Sequence, residues 1–180
     1  IKLLSVLLDN GSDIETKDLK GTTPLFTACL EGNEEVVSVL LERGSNINAR
    51  DSIGSTALIH VAERGKVSVL NLLLSNGAFI DARNFEGETG LITACKANRF
   101  ENVRFLLDKG ADITPQKRNG DSCLMLACKA NSKSIADLLI ARGAPIGDVN
   151  AKKRTVLMMA CKRKNREIAE VVIRKGADLN

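Results

Sequence analysis

Apolar positions in this chain come in short bursts that return with a fixed step. Leu25, Leu58, Leu91, Leu124 and Leu157 stand 33 residues apart, and Ile14, Ile47, Ile80, Ile113, Ile146 and Leu179 keep the same step. So do Gly11, Gly44, Gly77, Gly110, Gly143 and Gly176. A register held this long without a slip marks an array of structural repeats. Thr23, Thr56, Thr89, Ser122 and Thr155 each precede an apolar stretch. A hydroxyl there can accept from an unpaired backbone N–H, so each predicts the N-cap of a first helix of about 8–10 residues. About 18 residues later come paired aliphatics such as Leu40 with Leu41 and Leu106 with Leu107, followed by the in-register glycine. Glycine closes a helix by taking the left-handed conformation, so a second helix ends there and an extended loop follows.

In the second unit Val36, Val37, Val39, Leu40 and Leu41 form an apolar side, while Glu34, Glu35, Glu42 and Arg43 are left for water. One unit cannot bury that face alone, whereas stacked neighbours can. Leu3, Leu4, Val6, Leu7 and Leu8 read as a second helix whose own first helix is missing, and the chain starts at Ile1. Leu157, Ala160, Ile168, Val171, Val172 and Ile173 keep the internal pattern at the other end. Terminal repeats need a polar outer face, so the chain is expected to be part of a longer array.

The stretch Gly21-Thr-Thr-Pro-Leu-Phe-Thr-Ala-Cys-Leu-Glu-Gly32, with Leu40-Leu-Glu-Arg-Gly-Ser-Asn-Ile-Asn48, closely resembles the ankyrin repeat. The resemblance covers essentially the whole chain. It implies an all-α solenoid of stacked helix-turn-helix units joined by β-hairpin-like loops. The units would be a half repeat over 1–16 and five complete repeats over 17–49, 50–82, 83–115, 116–148 and 149–180. Where the family has Thr-Pro-Leu-His, the proline position holds Pro24, Ala57, Gly90, Cys123 and Val156. The histidine position holds Phe26, Ile59, Ile92, Met125 and Met158, so apolar packing is expected in place of the histidine hydrogen bonds. Lys153 replaces the hairpin glycine, which alone adopts a positive φ without strain, and so leaves the geometry of that turn open.

Composition leaves little material for catalysis: 44% of residues are hydrophobic and 27% charged, with one His, five Cys, five Phe and neither Trp nor Tyr. No apolar run approaches the ~18 residues of a membrane span. Cys29, Cys95, Cys128 and Cys161 share one repeat position with Ala62, which predicts a small buried slot. Stacked helices lie ~8–10 Å apart, beyond the ~7 Å Cα limit for a disulfide, and single thiols in a ladder do not converge on a metal. Free thiols in this number point to a reducing compartment, hence an intracellular protein of the cytoplasm or nucleus. His60 shares no motif with a nucleophile, and the glycines recur singly and form no phosphate loop. No catalytic residue, metal or cofactor is expected.

What remains is surface. In the ankyrin family, partners are usually held on the concave side, by hairpin tips and first helices. By register the tips are Leu19 and Lys20, Ser52 and Ile53, Phe85 and Glu86, Arg118 and Asn119, Ala151 and Lys152. Leu19, Ile53 and Phe85 are apolar where water is expected; they read as partner anchors, or as side chains that fold back on their own hairpins. Charge divides the chain: residues 1–115 carry 12 Lys and Arg against 16 Asp and Glu, a net −4, and 116–180 carry 14 against 6, a net +8. Lys96, Lys129 and Lys162 recur in one register, reinforced by Arg118, Lys152, Arg154 and Arg163, and predict a positive ladder for an acidic segment of a protein partner. The leading expectation is a non-catalytic, monomeric interaction scaffold. Its rivals are a regulatory or targeting arm of a larger enzyme or channel, and nucleic-acid or phosphoinositide binding through the basic half. Nucleic acid is disfavoured by the lack of Tyr and Trp.

Overall fold

The computed structural model describes residues 2–177, and the side chains of residues 6–177. A first helix α1 (Lys2–Asp9) is followed by five helix pairs: α2 (Pro24–Glu31) with α3 (Glu34–Glu42), α4 (Ala57–Arg64) with α5 (Val67–Ser75), α6 (Gly90–Lys96) with α7 (Phe100–Asp108), α8 (Cys123–Lys129) with α9 (Lys133–Ala141), and α10 (Val156–Lys162) with α11 (Arg166–Arg174). No strand occurs among the described residues; the hairpins hold only isolated antiparallel bridges, Gln116 with Ser122 and Val149 with Thr155. The helix read over Leu3 to Leu8 is present as α1, although the side chains of Leu3 and Leu4 and the whole of Leu179 lie outside the described residues.

All five register hydroxyls stand at N-caps, but they do not all act alike. Thr89, Ser122 and Thr155 accept from the N–H groups of Ile92, Met125 and Met158. Thr23 and Thr56 make no such bond, and their buried hydroxyls have no partner among the described residues. In α4 the Ile59 N–H turns instead to the Thr56 carbonyl at 3.1 Å, a tighter first turn that uses up the donor the hydroxyl would have served.

Leu25, Leu58, Leu91 and Leu124 are fully buried at the heart of one continuous core, joined by Val37, Leu40, Leu70, Leu73, Val103, Leu106, Ile135 and Leu139 from the second helices. First helices pack more extensively on one another than second helices do. At the histidine position Phe26, Ile59, Ile92 and Met125 are buried as expected, whereas Met158 is exposed. Among the second helices one polar residue enters the core. Asn102 stands in register with the buried Val69 and Ile135, and its amide donates to the Ala62 carbonyl at 3.0 Å and the Gly65 carbonyl at 3.2 Å. It is needed because Gly65 is extended (φ −85°, ψ −179°) where Gly32, Asn98, Asn131 and Lys164 are left-handed. The end of α4 therefore offers carbonyls that a side chain must satisfy.

Candidate interaction face: hairpin tips and first helices

A side-chain acceptor braces most of the hairpins from within. Asp18 Oδ1 accepts from the Lys20 and Thr22 N–H groups at 2.9 and 2.8 Å, and Asp51 Oδ1 from Ile53 and Ser55 at 3.0 and 2.8 Å. Asn84 Oδ1 and Asn150 Oδ1 repeat the pattern with Glu86 and Glu88 and with Lys152 and Arg154. Lys117 cannot accept, and Asn119 stands in by accepting from the Asp121 N–H at 3.1 Å. Successive tips are then joined by single backbone bonds: Ser52 to the Lys20 carbonyl (2.9 Å), Phe85 to Ile53 (3.1 Å), Arg118 to Glu86 (2.8 Å) and Ala151 to Asn119 (2.9 Å). The tips are a preformed row, with their backbone conformation set before any partner arrives.

On that row Leu19 is fully exposed, Ile53 is 53% exposed and Phe85 60%. Phe85 is partly spoken for, since its ring lies over Gly54 so closely that a Cβ there would meet it at 2.7 Å. Ile53 borders an open hollow of about 330 Å³ with Phe26, Leu30, Asp51 and His60. His60 Nε2 lies 2.8 Å from Asp51 Oδ2 and meets the Phe26 ring edge-on at 5.5 Å, so the single imidazole braces the second hairpin.

The predicted lysine ladder proves unequal along its length. Lys96 Nζ donates to Glu88 Oε1 at 2.9 Å, and Lys117 Nζ donates to the same oxygen at 2.9 Å. Asn84 bridges Glu88 to Ser55 of the preceding hairpin. Burial pushes the Glu88 carboxyl up, but the Lys117 and Lys96 ammoniums outweigh it and hold the group at about 2. One repeat on, Lys129 binds Asp121, whose other oxygen accepts from Asn150 at 3.0 Å. Burial again raises Asp121 and Lys129 with Asn150 more than offsets it, leaving the carboxyl below its ordinary value. Two ladder lysines are thus already holding buried carboxylates of their own chain. The third, Lys162, has no carboxylate partner among the described residues, because the position equivalent to Glu88 and Asp121 is Arg154. Arg118, Lys152, Arg154 and Arg163 are exposed.

A family model for ankyrin repeats in three copies matches residues 44–117 and 110–180, and one for ankyrin repeats in many copies matches 7–61. The chain belongs to the ankyrin-repeat family. Among solved structures it resembles an ankyrin repeat domain from Acinetobacter baumannii AYE, with a TM-score of 0.87 and 28% identity over 98% of this chain and 93% of that one. No curated protein matches. Ankyrin repeats are in general protein–protein interaction modules.

Other expectations for this ankyrin array meet mixed outcomes. Cys29, Cys95 and Cys128 fill the small buried slot, but Cys161 is exposed because no further helix covers that side of α10 among the described residues. Cys123, read only as a departure at the proline position, lies against Cys95 across the repeat boundary. The hydrogen bond with Cys123, with burial, pushes the Cys95 thiol well up. Among the described residues no group of His, Cys, Asp and Glu is arranged to hold a metal, and no helix is long and apolar enough to cross a membrane. Lys153 takes the left-handed conformation (φ 53°) that Gly21, Gly54, Gly87 and Gly120 take in the other hairpins, so the turn is kept, at a cost in strain. Sequence reasoning missed Glu88 and Asp121, although a signal was there: each stands eight residues before a ladder lysine.

Proposed function

We propose that the protein is a non-catalytic scaffold that holds a protein partner along its hairpin and first-helix side. Leu19, Ile53 and Phe85 act as apolar anchors. Arg118, Lys152, Arg154, Lys162 and Arg163 form the basic surface that meets an acidic segment, whereas Lys96 and Lys129 are engaged by Glu88 and Asp121 of the same chain. The observation that carries this reading is the tip row itself. Three consecutive hairpins each present an exposed apolar side chain on a backbone already tied to its neighbours. Ordering a loop on binding costs free energy, and these loops are already ordered. Exposed ion pairs contribute little each and are screened by salt, so the basic surface sets orientation and speeds encounter while the apolar tips supply affinity. The five free thiols favour a reducing compartment as the working place.

The test compares the wild-type chain with a Leu19→Ser, Ile53→Ser, Phe85→Ser variant as bait in native cell extract, with bound proteins quantified by mass spectrometry. A partner that is captured by the wild type and lost by the variant, with equal thermal melting of the two baits, is the expected result. Equal capture by both baits overturns the assignment of the tips.

A further inference from the structure

The hairpin side is not uniformly neutralised, and the break falls at one position. In two successive repeats a carboxylate in the hairpin faces a lysine eight residues later on the first helix: Glu88 with Lys96, Asp121 with Lys129. In the next repeat the same position is Arg154, and it faces Lys162. Lys129 from the preceding repeat and Arg163 at the C-cap of α10 complete the wall of a hollow of about 320 Å³, floored by the buried Met159. Lys129 is engaged by Asp121. Arg154, Lys162 and Arg163 have no carboxylate within ion-pair distance among the described residues. Three like charges around one hollow repel one another, and an anion seated between them relieves that repulsion.

We propose that this hollow receives a phosphorylated side chain of the bound protein. The inference rests on the reading that the hairpin side holds a protein. A carboxylate offers one charge and two oxygens, whereas a phosphoserine or phosphothreonine offers about −1.5 to −2 charges and three strong acceptors. The two guanidinium forks are shaped for bidentate contact with a phosphoryl group. A second hollow shares Lys129, Arg154 and Met159 and runs on to Asn119, Asn150 and Lys152. The site is therefore continuous with the row of tips, as an extended peptide requires. No aromatic side chain lines either hollow, so a nucleobase would find nothing to stack on.

The experiment measures binding by fluorescence anisotropy at ~50 mM salt, where screening is weak. The probes are two fluorescein-labelled peptides of six glutamates around a central serine, one with the serine phosphorylated. The phosphopeptide should bind about tenfold more tightly or better. Arg154→Glu restores the carboxylate that the two preceding repeats carry and should erase that difference. Arg104→Glu, the same charge change on α7, should keep it. Melting followed by circular dichroism checks that each variant is folded. Equal binding of the two peptides to the wild type overturns the phosphate site and leaves the acidic-partner reading standing; binding of neither overturns the phosphate site and leaves the apolar tips, which these peptides do not engage, to their own capture test. The site is also refuted if Arg154→Glu keeps the preference, or if vesicles bearing phosphatidylinositol phosphate or single-stranded DNA outcompete the phosphopeptide.

Discussion

Replacing Glu88 by glutamine should convert an acid-sensitive protein into a less stable but less acid-sensitive one. The Glu88 side chain is 8% exposed and holds two ammoniums, Lys117 at 16% exposure and Lys96 at 43%. Its carboxyl falls from 4.5 to about 2 in the folded protein. At about 1.4 kcal/mol per pH unit that drop corresponds to about 3.5 kcal/mol, and screening of the half-exposed Lys96 reduces it to about 2–3 kcal/mol. Because the folded value is the lower one, this stability is fully present above about pH 4.5 and is lost as pH falls toward about 2. Glutamine keeps the shape and the bond to Asn84 but cannot ionise. Urea denaturation followed by circular dichroism should therefore show Glu88→Gln less stable by about 2–3 kcal/mol at pH 7, with the gap shrinking to roughly half by pH 3. A gap below about 1 kcal/mol at pH 7, or one that stays constant with pH, would refute the argument that the paired ammoniums outweigh burial.

The hairpin glycines give a matched pair of outcomes. A Cβ at Gly120 (φ 77°) would stand 2.8 Å from the Ala151 backbone nitrogen, so Gly120→Ala should cost about 2 kcal/mol or more in denaturant melts. Lys153→Gly should instead gain about 0.5–1 kcal/mol by removing left-handed strain, and a loss of stability there would contradict the strain. Thiol labelling with a chromogenic disulfide under native conditions should show one fast cysteine, the exposed Cys161, and Cys161→Ser should abolish it. The other four thiols are buried, with Cys29 pushed up to about 12 and Cys128 to about 11 by burial, so a second fast thiol would contradict their placement.

The 33-residue step, the helix pairs and the core leucines were legible in the amino-acid order alone. Each repeats the same local problem, an apolar face that only a neighbouring copy can bury, so its solution is written in every unit. What the order left open were contacts between side chains far apart in the chain. Glu88 and Asp121 look like ordinary surface acids until the hairpin folds back over the first helix and sets them under Lys96 and Lys129. Cys123 reaches Cys95, and Asn102 reaches the end of α4, only across a repeat boundary. The ladder of three lysines was visible by register, yet which of them is left to meet a partner was decided by the residue opposite each one. Charge in a sequence is a count, whereas charge on a surface is what remains after folding has paired the groups it brings within reach. That is why Arg154, one basic residue among many in the chain, becomes the position that separates a neutralised face from a cationic hollow.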